Sequence, residues 1–220
     1  MTGGRSTTEE ASKTAADRLT FFSDAVVAIA MTLLAIELPV PQGTTQSEIL
    51  ASLGHGLSEY IAFLISFLVI SLHWGGHHRL FRYLADAPPR LVWWSTVWLL
   101  TIVVTPFATR VLTGGGEGED HGSFPIRFGM YAAVQALAGI AFLVMVRVIG
   151  KADLLDESAP PTILENSYIR TGAMAATFLV SMPLAWVLGS WAYVLWFAMW
   201  PVTRVAFAVH RRRHPRPTTP

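Results

Sequence analysis

Polar and apolar positions along the chain segregate into blocks rather than alternating singly. Six blocks of about 17 to 25 predominantly apolar residues, each bounded by charge, proline or glycine, fall at 19–38, 57–76, 91–112, 126–147, 168–188 and 191–209. A hydrocarbon core about 30 Å thick is crossed by about 20 residues of helix, so each block predicts a membrane span. Linkers of at most about two dozen residues leave no room for a folded domain outside the bilayer. The pattern therefore predicts an all-α integral membrane protein with six transmembrane helices. Its expected parts are a polar, flexible N-terminus over 1–17, a six-helix domain over 18–209 and a basic tail over 210–220.

Composition agrees with that pattern and then removes several chemistries. Of the 220 residues 52% are hydrophobic and only 14% charged, against about 25% charged in soluble domains. A net charge of +1 leaves no basic surface for nucleic acid. The absence of cysteine excludes disulfides, thiolate nucleophiles and cysteine-type metal sites. Charge also predicts direction. Residues 1–17 lack the basic start and apolar core of a secretory signal and are expected to stay cytoplasmic. With the N-terminus inside, every Lys and Arg except Arg110 and Arg127 falls on the cytoplasmic side. Both termini are thus expected in the cytoplasm, and the tail around Arg211, Arg212 and Arg213 reads as a topological stop.

Within the blocks the ionisable residues carry the information, because a charge at mid-bilayer costs about 2.5–3.5 kcal/mol even on the gentler scales. Asp24 follows Arg18, Phe22 and Ser23 and precedes the apolar run 25–36. If Ser23 and Asp24 merely capped a helix starting at Ala25, the remaining span would be too short to cross, so an interhelical network is expected. A second polar cluster, Trp74, His77, His78 and Arg79 with His73, ends the second block. His73 and His77 are four residues apart, half of a metal site, but no third ligand at recognisable spacing joins them, and no metal is expected. A histidine holding a buried carboxylate is the expected role, which also makes Asp24 and His77 a candidate proton-linked pair. Gly129 and Ala133 form a small-xxx-small pair of the kind that permits close helix packing.

The string Arg18-xxx-Phe22-Ser23-Asp24, with the run 25–34 behind it, resembles the RxxxFSD signature of the transmembrane protein 175 family, bacterial relatives of the lysosomal potassium channel. Trp74, His77, His78, Leu80 and Phe81 resemble that family's second-helix end, and Pro106-Phe107 its third helix. One position departs: Ser95 stands where many relatives are expected to carry asparagine. The resemblance implies a homotetramer with a central pore lined by helix 1, permeable to K+ with weak discrimination among monovalent cations. It implies no TVGYG filter and no cofactor beyond the permeating ion. The partners implied are further copies of the chain and membrane lipid, in a multi-pass arrangement in the bacterial inner or plasma membrane. By position, Ile29, Leu33 and Ile36 match the family's hydrophobic rings, with Thr32 adding a ring of hydroxyls.

The helical wheel can be set beside that implication. With Ile29 at 0° and about 100° per residue, Leu33 falls near 40°, Ile36 near 340° and Thr32 near 300°, whereas Asp24 falls near 220°. Small Ala28 and Ala35, together with Met31, lie on the Asp24 side and are expected to pack on the second and third helices. Nearly every residue from 25 to 36 is apolar, so the residues alone do not separate a pore stripe from a lipid-facing or core stripe. Glu37, at the outer end before Pro39 and Pro41, is a candidate for drawing cations to the pore mouth. Three functions compete on these residues: a passive potassium-selective cation channel, a proton- or ion-coupled transporter using Asp24 and His77, and an intramembrane enzyme. The enzyme lacks a nucleophile in any recognisable context, and no enzymatic activity is expected.

Overall fold

The computed structural model describes residues 3–114 and 123–197, with side chains from residue 10 onward and up to 196. Helix α1 (Gly3–Ile36) is followed by a short α2 (Gln46–His55) and by α3 (Leu57–Phe81), α4 (Pro89–Thr113), α5 (Ser123–Lys151) and α6 (Ile163–Leu188). A 3-10 turn over Gly189–Ala192 then leads into α7 (Tyr193–Phe197). Among the described residues five helical stretches are long and apolar enough to cross a membrane. Most of the sixth expected span, 191–209, and the tail 210–220 lie outside the described residues.

Two boundaries differ from expectation. α1 runs back to Gly3 where a flexible lead up to Asp17 is expected. That segment holds alanine, glutamate and lysine and no proline, so nothing in its propensities stops a helix that the apolar run has already nucleated. Its inner face is used: Ala16 is buried in the core. The second difference is α2, which sequence periodicity does not reveal. The Thr45 hydroxyl accepts from Glu48 N–H at 3.3 Å while the Glu48 carboxylate accepts from Thr45 N–H at 3.2 Å, a reciprocal capping box. Gly43 has φ +136°, and a Cβ there would lie 2.5 Å from Glu48 Cβ, so the approach to this cap requires glycine.

Pro106 inside α4 is flanked by threonines whose hydroxyls bond back to the helix. Pro106 lacks the N–H that would bond to the carbonyl of Ile102. On either side of it Thr105 Oγ1 donates to the Thr101 carbonyl at 2.9 Å and Thr109 Oγ1 to the Thr105 carbonyl at 2.8 Å, so these hydroxyls are satisfied within the helix. α4 itself starts with Pro89 in its first turn, a position where proline's missing donor costs nothing.

α5 packs against α4 and α6, while α1 lies against α3 and α4. Gly139 of α5 and Ala175 of α6 approach closely, so that a Cβ on the glycine would meet the alanine Cβ at 2.8 Å. Gly129, the expected close-packing glycine, faces open space instead. At the end of the bundle nearer Asp24 the α3–α4 and α5–α6 loops are joined by backbone bonds, Ala85 N–H to the Leu154 carbonyl at 2.8 Å and Asp156 N–H to the Tyr83 carbonyl at 2.9 Å. The core forms two clusters. One, centred on Trp98, Phe142 and Met145, takes in α1; the other, around Phe128, Tyr131, Phe178 and Trp196, belongs to the opposite end.

Candidate pore helix and its anchors

α1 carries two faces. The packed one is Ala16, Thr20, Ser23, Val27, Ala30 and Leu34, all buried and spaced three or four residues apart, as one side of a helix requires. Its hydroxyls bond within the helix, Thr20 Oγ1 to the Ala16 carbonyl at 3.0 Å and Ser23 Oγ to the Leu19 carbonyl at 2.8 Å, so no polar group is left bare among apolar neighbours. The other face is uncovered: Ile29 is 59% exposed, Leu33 40% and Ile36 75%. Thr32 is exposed beside them and donates to the Ile29 carbonyl at 2.8 Å, which turns its oxygen lone pairs away from the helix. On the wheel the packed face centres near 140° and the bare stripe near 350°, about 150° apart. Ala28 and Ala35, expected to pack, are exposed; the contact is made a quarter turn away, where Val27, Ala30 and Leu34 meet α3 and α4.

Asp24 sits at the edge of the packed face and reaches α3. Trp74 Nε1 donates to its Oδ1 at 2.8 Å, and His78 Nδ1 lies 3.6 Å from its Oδ2. Trp74 and His78 are one turn apart on α3, with ring centroids 5.3 Å apart, so the two rings present themselves together to one carboxylate. His77 does not take part, which corrects the pairing of Asp24 with His77. One residue along a helix is about 100° of rotation, and that turn sends His77 into the core. There its ring stacks 3.7 Å from Phe81 and 4.5 Å from Trp98, in the latter case with planes 4° apart. Neither of its nitrogens has a hydrogen-bond partner among the described residues; it packs as an aromatic slab. His73 is also buried.

The remaining members of the RxxxFSD string separate. Ser23 is buried, whereas Phe22 is exposed. Arg18 is exposed and makes no ion pair among the described residues. Both fall on the side of the bare stripe, Phe22 near 20° and Arg18 near 340°. Glu37, just past the end of α1, forms an ion pair with Arg110 of α4 at 2.9 Å. α1 is therefore fastened at two points, through Asp24 to α3 and through Glu37 to α4, and held between them by small and branched side chains.

Sequence reasoning misses the polar interior behind this helix. Ser66 Oγ lies 2.8 Å from Thr109 Oγ1 and 3.1 Å from Tyr131 OH, tying α3, α4 and α5 together, and Gln135 Nε2 donates to Thr105 Oγ1 at 3.2 Å. The four-residue spacing of Thr101, Thr105, Thr109 and Thr113 is the one signal of it in the sequence. Ser95 is buried in α4 with its hydroxyl unpartnered among the described residues.

The helices and this site define a multi-pass α-helical membrane protein in which one helix carries an uncovered apolar stripe. The family model for the endosomal/lysosomal potassium channel TMEM175 matches residues 18–106, which contain the bare stripe, Asp24 and its α3 partners. A potassium channel of Streptomyces collinus is 32% identical over 125 residues, 57% of this chain and 60% of the relative. One of Chamaesiphon minutus is 29% identical over 185 residues, 81% of this chain and 90% of that one. One of a Chryseobacterium species is 33% identical over 93 residues, 42% of this chain and 46% of the relative. The match thus spans less than two thirds of the Streptomyces and Chryseobacterium channels. The crystal structure of a lysosomal potassium-selective channel TMEM175 homolog from Chamaesiphon minutus superposes with a TM-score of 0.64, covering 90% of this chain and 98% of that one at 22% identity; the two share a fold. Over residues 18–106 the chain is similar to the TMEM175 family, and the relatives it matches are potassium channels.

Proposed function

We propose that the chain forms a potassium-permeable channel in a bacterial plasma membrane, in which four copies surround a pore lined by α1. Ile29, Leu33 and Ile36 form stacked aliphatic rings, Thr32 adds hydroxyls beside Ile29, and both termini lie in the cytoplasm. The observation that carries the reading is the bare stripe of α1, which lies across the helix from the packed stripe and within the residues the family model matches. A helix buried on one side by its own subunit and apolar on the other is ready to face three further copies of itself. Rings of branched aliphatics close by dewetting, and K+ sheds part of its water at lower cost than Na+, so such a pore prefers K+ without excluding other monovalent cations. Glu37, spent on Arg110, steadies the mouth more than it attracts ions.

Purified protein reconstituted into liposomes, with K+, Na+ and Cs+ gradients and a proton-sensitive dye, tests this reading. Ion flux that follows the imposed K+ potential without stoichiometric proton movement is the expected result. Flux strictly coupled to protons would overturn it.

A further inference from the structure

At the end of the bundle away from Asp24, between α3, α4, α5 and the break after α6, lies a cleft of about 390 Å³, inside the range of small-molecule sites, about 300–1,000 Å³. Its origin is local. α6 stops at Gly189, whose φ of +54° turns the chain into the 3-10 segment, and this places Ser190 and Tyr193 on the fourth side of the opening. Along α3 the lining passes from Ser58, beside the helix end, to Ile61 and Ile65 up to two turns deeper. Polarity therefore falls from the membrane surface inward. Leu112 of α4 extends the apolar wall.

A single charged side chain lines the cleft, Arg127, one turn inside α5. Side chains on a helix lean toward its N-terminal end, which for α5 is the membrane surface at this end of the bundle. A guanidinium is a fork of five donors that suits the oxygens of a phosphate. The neighbouring acid, Glu59, accepts from Ser58 Oγ at 2.8 Å and is not part of the lining. An apolar slot that opens at the membrane boundary beside one cation matches an amphiphile with a hydrocarbon chain and an anionic head. We propose that this cleft binds a phospholipid of the leaflet at that end, one acyl chain lying along Ile61 and Ile65 and the phosphate held by Arg127. No residue of α1 lines the site, which is independent of permeation.

Native mass spectrometry and thermal unfolding of the full chain in detergent test it, with phosphatidylglycerol, diacylglycerol or inorganic phosphate added. The expected result is one tightly held phosphatidylglycerol per copy that raises the unfolding midpoint by several degrees. Diacylglycerol binds at least about tenfold more weakly, because it lacks the phosphate contact, and inorganic phosphate has no effect. Arg127→Gln lowers phosphatidylglycerol affinity about tenfold, Arg127→Lys restores part of it, and Ile61→Trp abolishes the adduct by filling the slot while leaving K+ flux intact. Equal binding of phosphatidylglycerol and diacylglycerol would reduce the cleft to a hydrocarbon slot and overturn the phosphate contact. Equal binding to wild type and Ile61→Trp would place the lipid elsewhere, and stabilisation by inorganic phosphate alone would overturn the lipid. Protection of the cleft only in assembled copies, with no lipid bound, would assign it to a neighbouring subunit.

Discussion

Asp24 and His77 illustrate how differently two polar side chains in one membrane protein are stabilised. The Asp24 carboxylate is held by the Trp74 indole at 2.8 Å with His78 beside it, a contact that joins two helices. Trp74→Phe keeps the ring and deletes the donor. Hydrogen bonds to charged groups are worth about 1.5–3 kcal/mol; this pair is partly exposed, so the loss is set lower, at about 1 kcal/mol. It should appear as a lower unfolding midpoint with an unchanged K+/Na+ ratio. A change in the ratio with stability intact would move Asp24 into the permeation path. His77 presents the opposite case, because its nitrogens are buried without partners and its ring stacks on Phe81 and Trp98. Replacing a buried, unpaired polar group by an apolar one of similar shape is near neutral or stabilising. His77→Phe should therefore retain flux and leave the unfolding midpoint unchanged or higher. Loss of transport in a folded His77→Phe protein would favour a proton-coupled carrier.

At the scale of elements, helix contact depends on where a backbone is bare. Gly139→Ala introduces a Cβ 2.8 Å from that of Ala175, and forcing extra atoms into a close-packed contact costs about 1–3 kcal/mol. Gly129→Ala meets open space and should change little. Unfolding midpoints of the two variants compare them directly; equal effects would deny the tight α5–α6 contact. α2 depends on its cap. The Thr44 N–H, followed by that of Thr45, bonds the Glu48 carboxylate and holds its pKa below the ordinary 4.5. A lowered pKa means the stabilisation is complete above the ordinary value and disappears as pH falls through the lowered one. The protection of the 46–55 amides relative to their intrinsic exchange rates should thus fall in acid below about pH 4.5, and Glu48→Ala should already show low protection at neutral pH. The five spans among the described residues were readable from block length, and the uncovered face of α1 holds the residues that family resemblance singles out. The packed face was not: in a run that is apolar all round, composition carries no phase, and small size points to Ala28 and Ala35 while Val27, Ala30 and Leu34 make the contact. The same one-residue ambiguity separates His78 from His77. Arg110 opposite Glu37 is a meeting of distant segments that no local pattern encodes.

For the whole molecule, the proposed assembly requires the bare face of α1 to meet water, whereas an equally exposed stripe elsewhere on the bundle meets lipid. Leu64 of α3 is 62% exposed and Ile36 of α1 75%, so exposure within one subunit does not distinguish them; their surroundings in the assembly do. The chain contains no cysteine, which makes single-cysteine substitution a clean probe. Charged, membrane-impermeant thiol reagents react with thiolate, and thiolate forms only where water reaches. If four α1 helices enclose the pore, Ile36→Cys should be modified from the outside and the added charge at the narrow mouth should change K+ flux severalfold. Leu64→Cys should stay unmodified in the same liposomes and conduct normally. Crosslinking of the intact protein should yield species up to four chains and no larger. Modification of neither cysteine would put the stripe against lipid and remove α1 from the pore. Modification of Ile36→Cys with no effect on flux would leave the helix wet at its end but place the conduction path elsewhere in the bundle.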